Sequence, residues 1–161
     1  MAADEPLTDP AALLEQEARL ALPSLGESDA IALGQLLLAR AEARSLPVTI
    51  EVRRAGRVVF RAARPGTTPD NDAWIAAKAA LVERFGHSTW YMQHRYQAQG
   101  TTFEAATGLG LPGYAPHGGG YPLAVRGTGI VGVALVSGLP QAQDHALIVE
   151  ALEAYLAGER A

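Results

Sequence analysis

Val48-Thr49-Ile50-Glu51-Val52-Arg53, then Ala55-Gly56, then Val58-Val59-Phe60-Arg61-Ala62, is the segment that sets the fold class. Apolar and polar residues alternate in its first half, the period of a strand with one covered face. Val48, Ile50 and Val52 point one way; Thr49, Glu51 and Arg53 point to the other, polar side. Ala55-Gly56 reads as a tight turn, and the second apolar run returns as a partner strand. A hairpin makes the sheet antiparallel at this point.

On the N-terminal side the period is helical. A helix is expected from Thr8 to Leu20, with Thr8 as cap, Pro10 in the first turn and Leu13, Leu14 and Ala18 as its apolar stripe. Leu22-Pro23-Ser24-Leu25-Gly26 interrupts it. A second helix is expected from Ser28, as N-cap, to about Arg44, with Leu33, Leu36, Leu37 and Ala41 on one face.

On the C-terminal side, Thr68-Pro69 opens a helix with Asp70 and Asp72 at its positive end; Trp74, Ile75, Leu81, Val82 and Phe85 line one face and Gly86 stops it. A further helix is expected over Ser88 to Gln99, then a glycine-rich loop from Gly100 to Gly120. Tyr121 to Arg126 and Ile130 to Val136 read as a second hairpin around Gly127-Thr128-Gly129. The latter strand is almost wholly apolar, as in a strand buried on both faces. A last helix, about Gln141 to Ala157, offers Ala146, Ile148, Val149, Leu152, Tyr155 and Leu156 for packing. Hairpins interleaved with helices give an α+β class: an antiparallel sheet with helices packed on it.

Composition narrows the function. The chain has 161 residues, 48% hydrophobic and 19% charged, the balance of one globular domain. Its net charge is -4 with no basic run, which argues against nucleic acid. It has no cysteine, which excludes disulfides and thiolate chemistry. No apolar run nears the roughly 20 residues that cross a bilayer, and the N-terminus lacks signal-peptide character, so no membrane partner and a cytoplasmic location are expected.

Three features could carry chemistry. Lys78 lies four residues after Trp74, so it shares that helix face with an apolar stripe. A lysine there holds a ligand anion, snorkels to water, or pairs with an acid. Asp70 and Asn71 precede it as first-turn residues. The second feature is His117-Gly118-Gly119-Gly120-Tyr121-Pro122. Its glycines permit positive φ and close approach, or form a plain flexible loop, while His117 is a candidate axial ligand or general base. The third is Ser137-Gly138-Leu139-Pro140-Gln141-Ala142-Gln143-Asp144-His145. Backbone N–H groups at a helix start hold anions; Asp144 complements the dipole unaided; His145 could titrate or ligate. Gly108-Leu109-Gly110-Leu111-Pro112-Gly113 fits G-x-G-x-x-G by letter only, since no strand precedes it and Pro112 lacks an N–H. None of His87, His94, His117 and His145 has zinc-ligand spacing, so no metal site is expected.

Pro69-Asp70-Asn71 with Trp74 and Lys78, Gly118-Gly119 with Pro122, and Val136-Ser137-Gly138-Leu139-Pro140 with Asp144-His145 together resemble the haem-degrading-domain family of HbpS- and GlcG-like proteins, in particular its uncharacterised cytoplasmic branch. The resemblance implies a profilin-like layer fold, with residues 25–161 as the family domain and 1–24 as an N-terminal helical extension. It also implies homo-oligomers, and haem as a possible ligand.

The resulting expectation is a small-ligand-binding module, for haem or another anionic molecule, with Asn71, Trp74, Lys78, His117, Gly118, Gly119, Ser137, Asp144 and His145 around one cavity. The alternatives are an enzyme with His117 or His145 as acid-base, and a structural or interaction protein without a ligand. No nucleophile stands beside a base in the sequence, so no catalytic residue is assigned.

Overall fold

A computed structural model describes residues 5–161. Four strands form one antiparallel sheet in the order β2-β1-β4-β3: β1 Thr49–Arg54, β2 Arg57–Ala63, β3 Gly120–Val125 and β4 Gly129–Ser137. Both expected hairpins are present, and the two pair through β1 and β4 at the centre.

Helix α2 (Glu27–Ala43) and helix α6 (Gln141–Leu156) cover one face. Leu33, Leu36 and Leu37 of α2 and Ile148, Leu152 and Tyr155 of α6 pack there on Val48, Ile50, Val52, Ala134 and Val136. Helix α3 (Pro69–Phe85) covers the opposite face through Ile75, Ala79 and Val82 on Val133 and Leu135. Helices α1 (Pro10–Arg19), α4 (Thr89–Gln97) and α5 (Phe103–Thr107) share a smaller core of Leu13, Leu81, Trp90, Tyr91, Met92 and Phe103.

Several local expectations are corrected. Asp9, not Thr8, caps α1: its carboxylate accepts from the Ala12 N–H at 2.9 Å. Of the expected stripe only Leu13 is buried; Leu14 and Ala18 are exposed. Helix α2 starts at Glu27 with Gly26 at its N-cap, because Asp29 reaches back to the Gly26 N–H at 2.8 Å and supplies the cap that Ser28 was expected to give. The 100–120 segment is not all loop. Thr102 caps the short helix α5, and Gly108 ends it with a positive φ of 72°, so the G-x-G-x-x-G letters begin as a helix stop. On α6 the inward positions are Leu147, Ile148, Ala151, Leu152 and Tyr155, whereas Ala146 is exposed. β4 is buried from Gly132 to Ser137, but its outer end is open, with Ile130 48% exposed.

The polar face of β1 is the larger surprise. Thr49 and Glu51 are fully buried. Glu51 survives there because Arg53 and Arg61 bind its two oxygens at 2.6 and 2.7 Å. A buried carboxylate without such partners would be prohibitively costly.

Candidate functional site

The site forms where β4 ends. Ser137 closes the strand, Gly138-Leu139-Pro140 turns the chain, and α6 begins at Gln141. The first half of α3 lies alongside, and His117 enters just before β3. Together they enclose a cavity of about 390 Å³ lined by Asn71, Trp74, Lys78, His117, Ser137 and Asp144, with Asp70, Gly138, Leu139 and Gln141 completing the wall. The volume lies in the range of small-ligand sites.

Lys78 does not snorkel. It is 2% exposed, and its Nζ donates to the Val136 carbonyl at 2.9 Å and to Asp144 Oδ2 at 3.1 Å. An ammonium has three protons, so one remains for the cavity. Asp144 is equally buried, and its other oxygen accepts from the Leu139 N–H at 3.0 Å. Burial pushes Lys78 below the ordinary lysine range, against the opposing pull of Asp144. Burial pushes Asp144 above the ordinary carboxylate range, against Lys78 and the Leu139 N–H. Both shifts favour the uncharged form of the pair.

The rim is built by α3. Asn71 Oδ1 accepts from the Thr68 N–H at 2.9 Å and so closes the helix start, while its Nδ2 donates to Ser137 Oγ at 3.3 Å. Trp74 Nε1 donates to Asp70 Oδ2 at 3.2 Å. The His117 ring stands edge-on to the Trp74 indole at 5.1 Å, and its Nδ1 is buried with no partner. Burial first, then Lys78, hold His117 below the ordinary histidine value, with Glu104 opposing.

Gly118 and Gly119 approach protein, not open space. A Cβ on Gly118 would fall 2.2 Å from the Gln141 carbonyl oxygen. Gly119 has φ +120°, and a Cβ there would fall 2.3 Å from the Val136 oxygen and 2.6 Å from Lys78 Nζ. Gly119 lets the backbone pass beneath the lysine, and Gly118 lets it pass against the start of α6. His145 is turned away. Its Nε2 faces Gln16 Oε1 at 3.1 Å, and its ring borders a separate cavity of about 280 Å³ with Trp90 and Leu7. The fold therefore brings six of the nine expected residues to one cavity wall, sets the two glycines behind it and separates His145. Asp70 and Gln141 were not among the expected site residues. The i, i+4 spacing of Asp70 and Trp74, and the place of Gln141 at the α6 start, were the available signals.

The family model described as "Haem degrading protein HbpS-like" matches residues 25–153. The chain belongs to the HbpS-like family. A UPF0303 protein of Streptomyces avermitilis is 51% identical over 141 residues, covering 88% of this chain and 86% of the relative. One from Azotobacter vinelandii is 44% identical over 141 residues, with 88% and 85% covered. Among solved structures, the Ybr137w protein superposes with a TM-score of 0.84 at 30% identity, covering 94% of this chain and 90% of its own. HbpS superposes at 0.63 with 20% identity, covering 82% and 89%. The PduOC:heme complex superposes at 0.65 with 21% identity, covering 81% and 94%. The last two share the fold. Among the described residues, no helix is long and apolar enough to cross a membrane.

The family raises the question of haem. A porphyrin needs an apolar slot for its ring and cations for two propionates. His117 has the donor chemistry of an axial ligand. The remaining wall fits poorly: Asp70, Asn71, Ser137, Gln141 and Asp144 are polar, and Lys78 is one cation where two propionates call for two.

Proposed function

We propose that this HbpS-like chain is a small-ligand-binding module whose cavity takes a small, oxygen-bearing anion, with Asn71, Trp74, Lys78, His117, Ser137 and Asp144 as its contacts. The supporting observation is the buried Lys78 Nζ at the cavity wall, with the Val136 carbonyl and Asp144 taking two of its hydrogen-bonding directions and one left over. Asn71 and Ser137 add polar contacts at the rim, and Trp74 adds an apolar wall. Gly119 serves by shaping the backbone behind Lys78, Gly118 by admitting the start of α6, and His145 stands outside the cavity. The module is proposed to work as a homo-oligomer in the cytoplasm, as the family resemblance implies; light scattering at micromolar concentration tests the assembly.

The test is calorimetric titration and thermal melting with a panel of small carboxylates, phosphate and haemin. A true ligand at about 100 times its Kd stabilises the fold by about 2.7 kcal/mol. Asn71→Ala and His117→Ala keep the Lys78–Asp144 pair and should weaken that effect. Haemin is the second reading, which the family description and the His117 imidazole favour. It requires a saturable Soret band that His117→Ala abolishes. No saturable response to any probe would end the binding reading.

A further inference from the structure

Lys78 is the only lysine among the 13 Lys and Arg residues of the chain. The other twelve are arginines, which stay protonated in proteins and cannot act as nucleophiles. The one amine-bearing side chain is thus buried at the wall of the candidate cavity. Its neighbours are one carbonyl, one carboxylate and a glycine whose missing Cβ leaves room for Nζ.

We propose that Lys78 is a carbonyl-reactive amine, and that the cavity's substrate class is small aldehydes and ketones carrying an acid group, such as 2-oxo acids. This rests on the binding reading above and names the ligand class for the same cavity.

Asp144 makes the amine available. Passing one proton from Nζ to Oδ2 turns a buried ion pair into a neutral pair without changing the net charge. Low dielectric favours that exchange, and the opposite shifts of Lys78 and Asp144 run in its direction. The Nζ lone pair then attacks the carbonyl carbon. A C–N bond forms, the carbonyl π bond opens, and its oxygen takes the proton held by Asp144. The nitrogen gives up a second proton through Asp144, the hydroxyl departs as water, and the nitrogen lone pair closes C=N. Of the three ammonium protons, two leave in the water and one stays on the iminium nitrogen. The iminium keeps the positive charge beside the Asp144 carboxylate, so the site's charge is unchanged. Asn71 and Ser137 lie at the rim, where the acid group of the substrate would project. No oxidant or metal enters the step.

The single lysine makes the test clean. The folded chain is incubated with glyoxylate and cyanoborohydride at neutral pH, and the trapped secondary amine is located by peptide mass mapping. Only Lys78 and the terminal α-amine can react. The expected result is an adduct at Lys78 that forms faster in the folded chain than in the urea-unfolded one, since each unit of pKa depression raises the free-amine fraction about tenfold. Lys78→Arg should lose the adduct while keeping a buried cation, and Asp144→Asn, checked for folding by its melt, should slow it. An adduct confined to the terminal amine, or one at Lys78 that forms no faster than in the unfolded chain, overturns the proposal. Glyoxylate that stabilises the fold without a trapped adduct also overturns it, and leaves the binding reading standing. With no saturable response to any probe of the panel and no adduct, both fall.

Discussion

Replacing Gly119 by alanine adds one methyl group at the point where three parts of the site converge. The backbone there has φ +120°, which an L side chain rarely adopts, at a cost of roughly 1–2 kcal/mol. The new Cβ would meet the Val136 oxygen at 2.3 Å and Lys78 Nζ at 2.6 Å. Backbone cannot yield easily, so overpacking adds about 1–3 kcal/mol. The expected loss is therefore about 2–5 kcal/mol, which for a domain of this size lowers Tm by about 4–20 °C. Gly119→Val should be worse. Gly108→Ala is the matched control: its φ is +72°, but nothing lies within 4 Å of the added Cβ. It carries the backbone penalty alone, about 1 kcal/mol. Urea and thermal unfolding of both variants separate the two effects. Equal losses at Gly119 and Gly108, or an unchanged melt for Gly119→Ala, would refute the claim that the chain passes in contact beneath Lys78.

Other outcomes follow from the packing and the titrating groups. Leu13→Ala should cost about 2–5 kcal/mol in chemical denaturation, because it empties a fully buried position between α1 and the Leu81–Trp90 core. Asp29→Ala removes the acceptor of both the Gly26 N–H and the Tyr155 hydroxyl and should cost about 1–2 kcal/mol. The Asp29 carboxyl is held below its ordinary value, chiefly by the Gly26 N–H, so its contribution is present at neutral pH and lost as acid protonates it in the folded state. His145 behaves differently. Burial lowers it to about 4, with His94 adding to the effect, so between that value and the ordinary 6.5 the unfolded chain binds more protons. Stability should fall by about 3 kcal/mol as pH drops through that window, and be complete above it. His145→Gln should flatten the urea midpoint against pH there; an unchanged slope would contradict the burial argument.

Much of this architecture could be read from local pattern. The alternation of Val48, Ile50 and Val52 gave β1 and its covered face, and the glycine turns gave both hairpins. Leu33, Leu36, Leu37 and Ala41 are all buried as their spacing predicts. The misses are also physical. Caps were misplaced because Asp9 and Asp29 compete with nearby Thr8 and Ser28, and only backbone direction decides which oxygen reaches the free N–H. α5 was hidden because five residues carry too little periodicity to register. Glu51 was expected on a polar face because its charge says nothing about Arg61, ten residues away across the hairpin.

The site divides along the same line. Sequence alone fixed which groups exist: one amine-bearing side chain, no thiol, a glycine run, and acids at helix starts. It also fixed that Trp74 and Lys78 share a helix face, because that follows from 3.6 residues per turn. Tertiary structure decided that Lys78 meets Asp144, 66 positions later, and that adjacent Asp144 and His145 serve separate cavities. Neighbouring residues on a helix diverge by about 100°, so chain proximity placed His145 beside the site while the helix axis turned it away. Whether a buried amine is paired, free or reactive depends on what the fold sets within 3 Å of it, and no local pattern encodes that distance.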